Sequence, residues 1–304
     1  MKKDLLTLND LDESDFQKLF DRALELKKRH KGGIFDQPLA GKSIGLMFDK
    51  PSTRTRISFE AAAIQLSGTP IFMSAKDTQI SRNEPVSDTA KVLSRYIDCL
   101  VIRTYSQELI EEYARTAEIP VINALSDMYH PCQILSDLLT VVEYKGGYKD
   151  VKIAWVGDGN NVAHSWIYAA SILGFELHLA CPVDYAPDAA VMEKALARKK
   201  GNIVVTTDSV AAVADADVIY TDVWASMGQE DEQDSRVDVF KPYQVNSELI
   251  SHAKKDVSVM HCLPAHRDEE ISGEVLDGPN SIVWDQAENK LHMHKAILEM
   301  LICG

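Results

Sequence analysis

The strongest constraint on this chain is the regular alternation of short apolar runs with longer stretches of helical periodicity. Strand-like runs occupy residues 41–48, 70–74, 99–103 and 120–123, then 151–156, 176–181, 202–206, 217–220, 257–261 and 281–284. Between and around them, apolar residues recur at helical spacing over 11–31, 86–96, 107–117, 131–145 and 287–301. Strands separated by helices build parallel βαβ units, so the expected class is α/β with central parallel sheets covered by helices. The 304 residues exceed what one hydrophobic core usually holds, so two doubly wound domains are expected. Gly146-Gly147 is the expected hinge, dividing a first domain at 1–146 from a second at 147–286, with 287–304 a last helix packing back on the first.

In open parallel sheets, ligands bind beyond the carboxyl ends of the strands. The chemically conspicuous clusters fall at such places. Pro51-Ser52-Thr53-Arg54-Thr55-Arg56 follows the first strand and opens a helix whose apolar positions are Ile57, Ala61 and Ile64, with Phe59 and Ala63 beside them. Pro51 favours a helix start and Ser52 or Thr53 can cap it. The first-turn N–H groups carry partial positive charge, and hydroxyls and a guanidinium at that end suit a phosphoryl group. A capped surface helix with two solvated arginines would show the same pattern. Arg103 ends the third strand, and His130-Pro131-Cys132-Gln133 follows the fourth. At a helix N-terminus an imidazole tends to stay neutral and can donate a hydrogen bond to a carbonyl oxygen, with Gln133 one turn on.

The formal charge of -14 argues against nucleic acid or an anionic membrane as partner, and makes a local pair of arginines more informative. No apolar run is long enough to span a bilayer. The start, Met1-Lys2-Lys3-Asp4, turns acidic and lacks a long apolar core, so no signal peptide is expected. The 5 cysteines (Cys99, Cys132, Cys181, Cys262, Cys303) are scattered singly, which fits a reducing, cytoplasmic setting and no structural zinc.

Val156-Gly157-Asp158-Gly159-Asn160 resembles the start of a dinucleotide fingerprint, but Val162 stands where the third glycine belongs. A tight strand-to-helix turn with two asparagines is the expected structure. Asp222 and Ser226 offer partners for an ammonium and a carboxylate, and the acidic run over 229–238 reads as a solvated face or a mobile lid. Cys262 ends an apolar strand, where a cysteine is usually inert, yet His261, His266 and Arg267 bracket it.

Taken together, Ser-Thr-Arg-Thr-Arg at 52–56, His-Pro-Cys-Gln at 130–133, Gly-Asp-Gly-Asn-Asn at 157–161, Asp-Val-Trp-Ala-Ser-Met-Gly at 222–228, His-Cys-Leu-Pro-Ala-His at 261–266 and Ala-Glu-Asn at 287–289 resemble the ornithine carbamoyltransferases along essentially the whole chain. The first two motifs are shared by carbamoyltransferases in general, while the Ser-Met-Gly and His-Cys-Leu-Pro segments point to ornithine. The resemblance implies a carbamoyl-phosphate domain and an amino-acid domain with the active site in the cleft between them, and homotrimers or multiples of them with shared sites. It implies that Ser52, Thr53, Arg54 and Thr55 hold the phosphate, and that Arg103, His130 and Gln133 contact the carbamoyl group or its phosphate. Gln79 would reach a neighbouring subunit's site. Asn161, Asp222, Ser226 and Met227 would bind the α-amino and carboxylate groups of ornithine, with Cys262 and Leu263 against the reacting amine and the carbamoyl amide.

The implied reaction is direct attack of the side-chain amine on carbamoyl phosphate, giving L-citrulline and phosphate within arginine metabolism. Thr55, Arg103 and His130 would stabilise the tetrahedral oxygen and Arg54 the departing phosphate. No covalent enzyme intermediate, metal or cofactor is required. One position departs from the family: Lys290 follows Ala-Glu-Asn where arginine is usual, keeping the charge but losing the planar fork. The turn Ser81-Arg82-Asn83-Glu84-Pro85 is also poorer in glycine than is usual. Carbamoyltransferases for aspartate, putrescine or N-acetylornithine, and a silent ligand-binding paralogue, are the alternatives.

Overall fold

The structure is a computed structural model that describes residues 4–74, 84–225 and 233–304, with the backbone alone for 233–235. The expected contacts of Gln79, Ser226 and Met227 lie outside the described residues, as does most of the turn at 81–85. Two compact units are present: Met1–Ser136 with Glu288–Gly304, and Asp137–Ala287. The division falls inside the helix Pro131–Lys145, N-terminal to Gly146-Gly147.

The chain opens with α1 (Glu13–Lys31), started by a reciprocal capping box between Asp12 and Asp15 and ended at Gly32 after four basic residues. Then come β1 (Ser43–Phe48), α2 (Thr53–Gln65), β2 (Thr69–Ser74), α3 (Val86–Leu93), β3 (Cys99–Arg103), α4 (Gln107–Thr116), β4 (Val121–Leu125) and α5 (Pro131–Lys145). The four strands form one parallel sheet in the order β2-β1-β3-β4. All of β3, and β1 after its first residue, are buried, as a helix-covered parallel sheet demands. One core of this unit gathers Met47, Leu100, Ile102, Ile110 and Tyr113.

Two expectations fail at the level of faces and ends. Ile57 and Ile64 are exposed, at 54% and 62%, whereas Phe59, Ala62 and Ala63 carry α2 onto the sheet. Small residues let that helix approach closely, so its buried face is set by Ala and Phe rather than by its isoleucines.

The second unit contains β5 (Lys152–Val156), α6 (Asn161–Leu173), β6 (Glu176–Ala180), α7 (Ala189–Leu196), β7 (Asn202–Thr206), α8 (Ser209–Val213), β8 (Val218–Thr221), α9 (Gln233–Phe240), α10 (Ser247–Ile250), β9 (Ser258–His261) and α11 (Gly273–Leu276). Its parallel sheet has the order β7-β6-β5-β8-β9. The expected strand at 281–284 is not one. Ser281 forms a single parallel bridge with Val259, and α12 (Val283–Cys303) starts two residues later. The apolar run there is a bridge followed by a helical turn that leaves Trp284 at 63% exposure. No described helix is long and apolar enough to cross a membrane.

Candidate active site

Strand order locates both candidate sites. In the first sheet the chain runs from β1 to β2 on one side and then returns to place β3 on the other, so the order reverses between β1 and β3. Such a switch point opens a crevice at the strand ends. Phe48 pairs with Arg103 there, and the Asp49 N–H donates to the Arg103 carbonyl at 2.9 Å. The second sheet reverses between β5 and β8, where Val156 pairs with Thr221 and the Thr221 hydroxyl donates to the Val156 carbonyl at 2.7 Å.

At the first switch point Ser52 caps α2, its hydroxyl accepting the Thr55 N–H at 3.2 Å. Thr53 and Arg54 are exposed on the first turn and Thr55 is buried. Arg56 is turned to structure: it pairs with Glu60 at 2.9 Å and lies 3.5 Å over the Phe72 ring. The same unit also buries Arg103, His130, Gln133 and Lys290. Lys290 donates to the Gln133 amide oxygen at 2.7 Å, joining the start of α5 to α12. Burial, together with the charges of Lys290 and Arg103, holds His130 well below the usual imidazole range. It is therefore neutral near pH 7 and able to donate a hydrogen bond without carrying charge. Cys132 beside it is a buried thiol pushed up to about 12 by desolvation, with no place in the chemistry.

Sequence reading passed over Lys50. Its ammonium is buried, pairs with Asp127 and sits 3.9 Å over the Tyr105 ring, so it fastens the end of β1 to the segment leading to His130. A lysine just before the Ser-Thr-Arg run was the available signal; its partners are distant in sequence.

At the second switch point Asp222 is buried and held from three sides. Asn160 donates to one carboxylate oxygen at 3.0 Å; the Cys262 thiol at 2.8 Å and the Val223 N–H at 2.9 Å donate to the other. Asn160 also caps α6 by accepting the Val162 and Ala163 N–H groups, and Asn161 is the first residue of that helix. Gly159 has a packing reason: a Cβ there would lie 2.4 Å from the Pro187 nitrogen. The second glycine thus serves a close backbone crossing.

The basic residues that bracket Cys262 have partners of their own. The His261 Nδ1 accepts the Leu263 N–H at 2.8 Å, which leaves Nε2–H to donate to Glu270 at 2.9 Å, and Arg267 pairs with Asp277. Glu270 also takes the His266 N–H at 2.7 Å, so it fixes the loop after β9 with Leu263 in a left-handed conformation at φ 57°. Asp222, His261 and Cys262 bring metal-ligand atom types within 4.8 Å of one another. Both ring nitrogens of His261 are already committed and the thiol donates to Asp222, so the group is a hydrogen-bonded cluster.

Part of the acidic run is also unlike expectation. Arg236 on α9 is buried, pairs with Asp158 at 2.9 Å and donates to the Trp224 carbonyl at 2.9 Å. It ties α9 to the turn after β5 and to the segment that follows Asp222.

Residues 3–143 match the family model described as aspartate/ornithine carbamoyltransferase, carbamoyl-P binding domain, and residues 149–301 match its Asp/Orn binding domain. An ornithine carbamoyltransferase of Syntrophus aciditrophicus is 55% identical over 302 residues, which are 99% of this chain and 100% of that protein. That of Bacillus subtilis is 52% identical over 99% of this chain and 94% of its own. The solved structure of the Pyrococcus furiosus ornithine carbamoyltransferase superposes with a TM-score of 0.95 at 48% identity, covering 99% of this chain and 97% of that one. The chain, which carries a buried cationic set at one switch point and a held carboxylate at the other, belongs to the aspartate/ornithine carbamoyltransferase family.

Proposed function

We propose that this protein transfers the carbamoyl group of carbamoyl phosphate to the side-chain amine of L-ornithine, releasing L-citrulline and phosphate. The observation that carries the reading is the pairing of two chemistries on one chain. Arg103, Lys290, a neutral His130 and the capped start of α2 suit a phosphorylated carbonyl compound. The buried Asp222 suits the ammonium of an amino acid. The carbonyl oxygen of carbamoyl phosphate takes hydrogen bonds from Thr55, Arg103 and His130, which strengthen as negative charge develops on it. The neutral amine forms the new C–N bond and the bond from carbon to the phosphate oxygen breaks. Arg54 and the positive end of α2 stabilise the departing phosphate, which takes the amine's proton. Lys290 and Gln133 hold the same ligand from α12 and α5. Cys262 positions Asp222 through its thiol donor, and Leu263 presents its backbone to the carbamoyl amide. Asn161, Ser226 and Met227 complete the amino-acid site. Holding both reactants in place supplies much of the rate.

The same reading has the protein working as a homotrimer or a multiple of it, with Gln79 serving a neighbour. β2 is an edge strand carrying exposed Ile71 and Phe72, and α2 beside it exposes Ile57 and Ile64, which supports self-association on this side of the first unit. A cytoplasmic setting is supported by the cysteines, all of which are free thiols. The test is stoichiometry: citrulline and phosphate should appear in equal amounts only when both substrates are present, and Arg54→Gly should abolish both. Phosphate released without citrulline would mean a hydrolase and overturn the reading.

A further inference from the structure

His294 lies on α12 one helical turn beyond Lys290, fully buried, with its ring stacked on Phe59 of α2 at 3.7 Å between centroids and 12° between planes. Its Nδ1 is 3.0 Å from the Ser58 hydroxyl, and that hydroxyl reaches the Thr55 carbonyl at 3.1 Å. A serine hydroxyl has one proton to give. If it went to His294, the ring's own proton would sit on Nε2, which is buried with no hydrogen-bond partner among the described residues. An orphaned buried N–H is rarer and costlier than an orphaned acceptor. The proton therefore sits on Nδ1, giving a directed chain from His294 Nδ1–H to Ser58 and from Ser58 O–H to the Thr55 carbonyl. Burial, with the charge of Lys290 added to it, keeps the ring neutral.

We infer that His294 is a positioning residue for the phosphate end of the site: it sets the first turn of α2, and with it Thr55, against the helix that carries Lys290. The residue touches no substrate. It fixes the spacing between two elements that must grip one phosphorylated ligand, by a stack and a hydrogen-bonded relay that ends on a site residue's own backbone. Lysine, a flexible point charge without arginine's fork, has more need of a fixed frame than arginine would.

This inference rests on the carbamoyl-transfer reading, which wild-type turnover checks separately, so the decisive readouts are comparative. His294→Phe keeps a ring to stack on Phe59 but removes the donor. His294→Asn places an amide N–H near the old Nδ1. With His294→Phe the KM for carbamoyl phosphate, and the dissociation constant of inorganic phosphate measured by calorimetry, should rise about 3- to 10-fold, the worth of one hydrogen bond. The KM for ornithine should stay within twofold. His294→Asn should recover part of the loss. Ser58→Ala should reproduce the phenylalanine defect, and adding His294→Phe to it should cost nothing more. If the phenylalanine protein is too unstable to assay, Ser58→Ala alone decides. Phosphate and carbamoyl-phosphate constants unchanged in Ser58→Ala, or equal losses for both substrates, would return His294 to a core residue. A wild type that binds phosphate but makes no citrulline, with the same variant pattern for phosphate, would sink the reaction and leave the positioning role standing.

Discussion

At the scale of single residues, two side chains separate the two ends of the proposed chemistry. Lys290 stands where the resemblance implies an arginine, and its ammonium is buried against the Gln133 amide. Lys290→Met should weaken carbamoyl phosphate by about 10- to 100-fold, since a charge-assisted hydrogen bond is worth about 1.5–3 kcal/mol. Lys290→Arg should leave binding equal or tighter. Equal affinity in the methionine protein, measured by calorimetry, would show that Lys290 serves Gln133 alone. In the proposed site Cys262 serves the other substrate. Its thiol donates to Asp222, so Cys262→Ala should raise the KM for ornithine severalfold and leave that for carbamoyl phosphate alone. A carbamoylated Cys262 trapped during turnover would contradict direct attack. These two residues were legible in sequence because each sits inside a contiguous motif. Lys50, Glu270, Arg236 and His294 were not. Their importance lies in Asp127, His261, Asp158 and Ser58, partners that only the fold brings close.

At the scale of elements, α12 and the start of α5 bury three neutral imidazoles. His292 is pushed down to about 4, chiefly by burial, while His130 and His294 are held well below the ordinary value of 6.5. Each binds a proton more readily unfolded than folded. Their contribution to stability is therefore complete above pH 6.5 and is lost as the pH falls from there toward the folded-state values. For His292, between pH 6.5 and about 4, this steepens the acid loss of stability by up to about 1.4 kcal/mol per pH unit. Replacing His292 with Asn should flatten the slope of unfolding free energy against pH by about that amount; an unchanged slope would place its protonation elsewhere. Sequence periodicity found the buried strands well, since β3 is buried throughout and β5 after its first residue, and both are apolar but for one terminal residue. It failed on α2, where period alone cannot say whether isoleucine or alanine faces the sheet. It failed again at 281–284, where a short apolar run was a bridge and the first turn of α12. The helices beyond β5 were implied by rhythm only, because short capped helices such as α8 and α10 carry little periodicity to read.

At the scale of the whole molecule, the two sheets repeat one plan: parallel strands, an order reversal, and candidate site residues at the strand ends beside it. The proposed chemistry divides along the same line, with the phosphorylated reactant at the β1/β3 switch point and the amino acid at the β5/β8 switch point. If assembly shares sites through Gln79, an inactive Gln79→Ala protein mixed with an inactive Arg54→Gly protein should regain activity through hybrid sites. Demonstrated subunit exchange with no activity regained would confine each site to one chain.

The most direct test of the central claim is the amine panel. Purified protein supplied with carbamoyl phosphate should form citrulline from L-ornithine and give little product with putrescine, N-acetylornithine or aspartate. In the proposed site Asp222 demands a free α-ammonium, and the Ser226 and Met227 contacts demand a carboxylate beside it. Turnover with putrescine comparable to that with ornithine would contradict the account.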